Sequence, residues 1–173
     1  MSITIELLDS MLAPSPGNPA EAHYRTIPIE SKVRELTNLL TTQLDGGNAT
    51  NAGRCMLAAV LLRREVETLG GKQQLTGLAP SSAVSLMGEI ANPLMSLFLQ
   101  KEVTQSRRQI GHIIAELSSS LSLVSVEDGK EWMKTVLNHI RTGVSIICTV
   151  ALIVKIINTQ TNRLETYLMS TVR

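Results

Sequence analysis

A short aliphatic segment with arginines at both ends, residues 54–64, constrains the fold more than any other part of the chain. It reads Arg-Cys-Met-Leu-Ala-Ala-Val-Leu-Leu-Arg-Arg, and a similar arginine-led segment returns over residues 107–117. Such a recurring helix, packed on small and aliphatic side chains, is typical of stacked helical repeats, in which each unit buries its apolar face against its neighbours. The pattern therefore favours a binding surface over a catalytic pocket.

Composition supports helices and argues against a nucleic-acid binder. Apolar residues make up 43% of the 173 residues, but aromatic residues only 2%. Sheets are rich in aromatic and β-branched residues, so this composition favours an all-α fold packed on Leu, Ala, Ile and Met. The net charge is +1, from 16 basic and 15 acidic side chains, whereas a dedicated nucleic-acid binder carries a strong basic excess. We expect no direct nucleic-acid partner.

The apolar periodicity predicts about eight helices. We expect them to form an α-solenoid of about four HEAT-like antiparallel helix pairs, with a compact helical bundle as the structural alternative. Asn18-Pro19 should start a helix, because Asn caps a helix and Pro suits its first turn. Asn92-Pro93 should kink a helix or divide it in two. The approximate repeats of this single HEAT-repeat segment span residues 1–28, 29–79, 80–124 and 125–173.

The apolar segment over residues 144–157 has two readings. Crossing a bilayer takes about 20 apolar residues, and Arg141 and Lys155 limit this run. A buried helix is therefore favoured, membrane association is not expected, and a helical protein anchored by residues 144–157 is the alternative. The N-terminus lacks the basic region of a secretory signal. Cys55 and Cys148 lie in apolar runs, which predicts buried reduced thiols in an intracellular protein.

Four segments in order resemble a known family. Residues 21–28 (Glu-Ala-His-Tyr-Arg-Thr-Ile-Pro), 58–64, 106–117 and 127–132, the last ending in a tryptophan, are similar to the N-terminal HEAT repeats of importin-beta karyopherins of the importin beta-3 class. The resemblance covers about residues 4 to 140. Family members carry many more repeats, so the resemblance implies a truncated receptor, and Trp132 would open its fourth repeat as a core residue.

The resemblance implies a nuclear transport receptor found in cytoplasm and nucleus. Its partners would be the GTPase Ran, import cargo and Phe-Gly nucleoporins. Second helices of such repeats line the concave face, which would make the charged residues of 54–64 and 107–117 partner contacts. The implied contact residues are Arg63, Arg64, Arg107, Arg108 and Glu116. The apolar residues implied to lie beside the nucleoporin surface are Leu36, Leu40, Leu94 and Phe98.

Simpler interpretations stay open for the same residues. The arginine pairs are also typical of solvated helix ends, where cations favour the helix dipole. A HEAT-like scaffold or adaptor without Ran activity fits the stacked core nearly as well. No catalytic motif is evident, since His23, His112 and His139 are scattered and Gly70-Gly-Lys72 lacks the full phosphate-loop pattern. We therefore expect neither enzymatic activity, nor a cofactor, nor a metal site.

Overall fold

The computed structural model describes residues 3–13, 18–43, 49–71, 78–99 and 107–124, together with Lys134 and Asn138. Within these ranges every regular element is helical, which confirms the all-α prediction for this part of the chain. A π-helical turn over Leu39–Gln43 continues the third helix. The six helices are α1 Ile5–Leu12, α2 Pro19–Thr26, α3 Ile29–Asn38, α4 Ala49–Gly71, α5 Pro80–Leu99 and α6 Arg107–Val124.

The first two helices begin at short polar caps. The Thr4 hydroxyl accepts a hydrogen bond from the Leu7 N–H at 3.3 Å, and the Asn18 Oδ1 accepts one from the Ala20 N–H at 2.9 Å. Asn18 Nδ2 also donates to the Ser10 carbonyl at 2.6 Å. One asparagine therefore starts α2 and satisfies a carbonyl at the end of α1, as the predicted start at Asn18-Pro19 requires.

The long helix α4 lies at the centre of the core. It packs against α1, α3 and α6, and less extensively against α5, while α5 also packs against α3 and α6. Its inward face is small and aliphatic, so neighbouring helices approach it closely. The fully buried residues on that face are Ala58, Ala59, Leu62, Val66 and Leu69.

The four apolar residues that the resemblance places beside a nucleoporin-binding surface lie in the core. Leu36, Leu40, Leu94 and Phe98 are all buried, and the nucleoporin surface beside them stays a prediction. Helices α3 and α5 pack against each other, α3 also packs against α4, and α5 also packs against α6, so their aliphatic stripes lie in the core. Val33 and Leu36 of α3, and Leu39 and Leu40 of the π-helical turn that follows it, all lie in the hydrophobic core.

Helix α5 contains Pro93 without being divided by it. The structure assigns one helix from Pro80 to Leu99, so the alternative of two shorter helices is wrong. Proline removes the hydrogen bond to the carbonyl four residues earlier. That residue is Glu89, which lies on the exposed side with Pro93, where water can satisfy the freed carbonyl. The buried residues Ile90, Leu94 and Met95 meanwhile anchor the helix in the core.

Helix α5 is also long and apolar enough to cross a membrane, judged by length and composition alone. Over Ser81–Leu99 the mean hydropathy is 1.3, and half of its most apolar window is buried against the rest of the chain. Buried core helices meet the same criterion. The contacts of α5 with α3 and α6 account for its apolar character without a bilayer.

Several predictions fall outside the described residues. They are the fourth repeat over 125–173, the core role of Trp132, the burial of Cys148 and the nature of segment 144–157. Cys55, by contrast, is buried as predicted. The described helices occur two to each of the first three predicted repeats.

Candidate protein-binding face on α4 and α6

Helix α4 has an outward face along its whole described length. Gly53, Val60, Arg64 and Glu67 are exposed, and Met56, Leu57 and Arg63 beside them are half-buried. At about 100° per residue these positions share one side of the helix. The side is opposite the core residues, so α4 meets solvent here while its other side packs against α3 and α6. This strip is called the α4 face below.

Arg63 joins the α4 face to helix α6. Its Nε donates to the Glu67 Oε1 at 2.6 Å, one turn along α4. Its Nη1 donates to the Gln109 Oε1 of α6 at 3.4 Å. The contact places the charged end of the α4 face beside the start of α6. Two arginine-bearing segments far apart in sequence therefore meet at one surface.

Helix α6 contributes its own outward strip. Arg108 is exposed, and Gln109, His112 and Glu116 are half-buried at spacings that place them on one side of the helix. Arg107 is half-buried and lies about 100° around the helix from Arg108. Of the five predicted contact residues, Arg63, Arg64 and Arg108 therefore lie on adjoining strips. Glu116 follows two turns along α6, and Arg107 lies to one side.

Arg54, which opens the aliphatic segment, has a structural role instead. Its Nε and Nη2 donate to the two carboxylate oxygens of Asp9, each at 2.6 Å. Its Nη1 donates to the Asn51 Oδ1 at 3.1 Å. The hydrogen bond from Arg54 lowers the pKa of Asp9, and the same bond raises the pKa of Arg54. This bidentate pair ties α1 to α4.

A buried polar cluster joins α2, α3 and α4, and the sequence analysis did not predict it. The Tyr24 hydroxyl donates to the Glu65 Oε1 at 3.0 Å, and the Lys32 Nζ lies 4.7 Å from the centre of the Tyr24 ring. All three side chains are buried. Burial, together with the neighbouring Glu65 charge, raises the pKa of Tyr24. The signal in the sequence was Glu65, an acid among the apolar core positions of α4.

A second polar region lies between α3 and α5. An open cleft of about 300 Å³ is lined by Glu30, Arg34 and the first turns of α5, including Ser82. The Arg34 Nε there donates to both carboxylate oxygens of Glu89, at 3.0 and 3.1 Å. Because the Glu89 carboxylate already binds the Arg34 guanidinium, we interpret this ion pair as a contact that stabilises the packing of α3 against α5. Among the described residues no group of His, Cys, Asp and Glu is placed to hold a metal ion.

The α4 face and the α6 strip together form a basic surface without a catalytic arrangement among the residues that build it. Arginines bind carboxylate-bearing partners through paired hydrogen bonds, and the half-buried apolar residues beside them add contact area. Comparison with protein-family models, with known proteins and with solved structures finds no match to this chain.

Proposed function

We propose that this chain is a protein-binding helical segment whose basic surface on α4 and α6 contacts an acidic region of a partner protein. The observation that carries the proposal is the Arg63–Gln109 contact at 3.4 Å. It brings Arg63, near the end of residues 54–64, beside Gln109 at the start of α6. Arg64 and Arg108 are both exposed, as partner-binding side chains must be.

The helix contacts also support a stacked repeat arrangement. Helix α3 packs against α4, and α5 against α6, while α3 contacts α5 and α4 contacts α6. Two stacked helix pairs make this set of contacts, with first helices side by side and second helices side by side. A four-helix bundle makes the same set. The solenoid proposal gains its weight from the similarity of the segments at 54–64 and 107–117.

The partner that the sequence resemblance specifies is Ran in its GTP state. We propose that the segment supplies part of the Ran side of an importin-beta-like receptor, which would act in nucleocytoplasmic protein import. Cargo and Ran-GTP would oppose each other through reciprocal linkage, because binding of either lowers the affinity for the other. Arg63, Arg64 and Arg108 would meet acidic residues on Ran.

A pull-down with purified Ran tests this partner. The tagged chain should retain Ran loaded with GTP and not Ran loaded with GDP. The triple variant Arg63→Glu, Arg64→Glu, Arg108→Glu should lose that binding, because each introduced glutamate repels the acidic partner. Arg25→Glu is the matched control, since Arg25 is exposed on α2 rather than on α4 or α6. Equal binding of both nucleotide states, or none, contradicts the Ran proposal.

The second candidate is a scaffold or adaptor that binds another protein without Ran activity. Two ion pairs between helices, Asp9–Arg54 and Arg34–Glu89, favour it, because they stabilise the helix packing that a rigid scaffold needs. A scaffold would bind its partner whichever nucleotide is present, and its binding would still depend on Arg63, Arg64 and Arg108.

The remaining alternative is a helical protein anchored by residues 144–157. It predicts that a tagged chain stays with membranes after carbonate extraction.

A further inference from the structure

The α4 face is apolar over its first half. Met56 and Leu57 are half-buried there, and Val60 is 43% exposed. Leu12, at the end of α1, is 47% exposed and lies beside them, since its Cδ1 is 3.8 Å from where a Cβ on Gly53 would stand. Leu12 and Val60 are the large apolar side chains that the structure leaves exposed in the described part of the chain.

Most of this apolar surface lies outside the core, although Leu57 also packs against the core. The opposite side of α4 already carries Ala58, Leu62 and Val66, each with no exposed surface. Helix α4 is therefore apolar on two sides, and the other helices that the structure describes cover one of them. Single exposed apolar residues are ordinary, but several along one face of one helix mark a contact surface.

The second half of the same face is charged. Arg64 and Glu67 follow Val60 along the face, with Arg63 beside them and Arg108 across on α6. Arg63 and Glu67 pair at 2.6 Å and balance each other, so the excess positive charge of this half on α4 comes from the exposed Arg64. From Gly53 to Arg64 the face is about 16 Å long, at 1.5 Å per residue. One face thus presents an apolar half and a basic half along a single helix axis.

We propose that this face binds an amphipathic helix of a partner protein, with apolar residues on one side and acidic residues at one end. The apolar side would pack on Leu12 of α1 and on Met56, Leu57 and Val60 of α4. With Gly53, these three α4 positions have the i, i+3, i+4, i+7 spacing of one helix face. The acidic end would meet Arg63, Arg64 and Arg108. Charge complementarity fixes the orientation of the bound helix and excludes basic helices. This inference rests on the proposed function and names the chemistry of its partner.

A binding titration with defined peptides tests the inference. The probe is a fluorescent helical peptide with leucines at i, i+3, i+4 and i+7, followed by a run of glutamates. A second peptide carries lysines in place of the glutamates. Fluorescence anisotropy should show binding of the acidic peptide to the full chain and much weaker binding of the basic one. Failure of the acidic peptide to bind overturns the inference.

Two variants separate the halves of the face. Val60→Asp and Arg64→Glu should each weaken binding of the acidic peptide about tenfold or more. Arg64→Glu should also improve binding of the basic peptide. Ser96→Asp and Arg25→Glu are the matched controls, because both residues are exposed on other helices. Thermal melts that match the wild-type melt show that the variants fold. Unchanged binding by Val60→Asp overturns the inference.

The same variants distinguish this inference from the proposed function. If a partner protein responds to the arginine substitutions but not to Val60→Asp, the basic surface stands and the apolar half is not part of it. If neither variant affects any partner, both proposals fail. Light scattering tests whether a second copy of the chain occupies the face. If the chain forms a dimer and Val60→Asp dissociates it, the occupant is a second copy, and the proposal of a partner helix is overturned.

Discussion

At the level of single residues, the chain mixes an aliphatic core with a few polar groups placed inside it. Glu65 stands among Leu61, Leu62 and Val66 on α4 and is buried with them. An ionised carboxylate without partners is costly in such a place. The Tyr24 hydroxyl donates to it at 3.0 Å, so the acid is held by a hydrogen bond that also docks α2.

Replacing Tyr24 with phenylalanine tests this buried contact. The ring and its contact with Lys32 remain, but the Glu65 carboxylate loses its donor. Unfolding in urea should show a loss of about 1–3 kcal/mol in the free energy of unfolding. Adding Glu65→Leu to Tyr24→Phe should restore part of it, because an apolar pair needs no hydrogen bond. A Tyr24→Phe variant as stable as the wild type would show that the bond contributes nothing.

Thr37, unlike Glu65, is a buried polar residue whose side chain has no hydrogen-bond partner among the described residues. Folding therefore removes its hydroxyl from water without compensation. Thr37→Val keeps the shape and removes the hydroxyl, and we expect it to raise the free energy of unfolding by about 1 kcal/mol. Thr42→Val is the control, since the Thr42 hydroxyl is exposed and donates to the Asn38 carbonyl. A destabilised Thr37→Val chain would contradict the assignment.

Sequence periodicity predicts the aliphatic core residues and misses these polar ones for a physical reason. Val33 and Leu36 recur at helical spacing, so their burial follows from the period alone. The bond between Tyr24 and Glu65 joins residues 41 positions apart, and no local pattern specifies that pairing. The one local sign was an acid at an apolar position.

At the level of elements, ion pairs between helices stabilise the packing of one helix against another. Arg54 seemed from its position to begin a repeat helix, but it pairs with Asp9 and fixes α1 on α4. The bond lowers the pKa of Asp9 below its ordinary value of 3.8. A carboxyl whose pKa is lowered by folding stabilises the fold above its ordinary pKa, and that contribution is lost as the pH falls through the lowered value.

Thermal melts across pH test the tie between α1 and α4. At neutral pH, Asp9→Asn should melt at a lower temperature than the wild type. As the pH falls below 3.8, the difference should shrink, because the wild-type carboxyl becomes protonated and loses its ionic pairing. Asp9→Asn in an Arg54→Gln background should show a smaller difference at neutral pH. A difference that stays constant across the whole range would contradict the role of this pair.

The positions of the helices could largely be predicted from the sequence, but whether α5 runs unbroken through Pro93 could not. Helix α2 follows from Asn18 and Pro19, where the cap and the first turn have the residues they require. Helix α5 was expected to kink or divide at Pro93, and only the division is wrong, because one helix runs from Pro80 to Leu99. The cost of a proline depends on whether the carbonyl it frees reaches water, and that exposure is set by tertiary packing rather than by local sequence.

At the level of the whole molecule, the two sides of α4 have different surroundings. Its inward side packs against α1, α3 and α6, and its outward side carries an apolar half followed by a basic half. The sequence predicted Arg63, Arg64 and Arg108 as contact residues. It did not predict the apolar half, because Met56, Leu57 and Val60 are indistinguishable from core residues until packing separates the two sides of the helix.

The central claim is that this outward side of α4, with the strip on α6, binds a partner protein. Site-specific photo-crosslinking in cells tests it directly. A photoreactive amino acid at Val60, Arg64 or Arg108 should each give a crosslinked adduct with the same partner, identified by mass spectrometry. The same amino acid at Arg25 or Ser81, which are exposed on other helices, should not. Adducts at the control positions alone, or none at the three face positions, would contradict the claim.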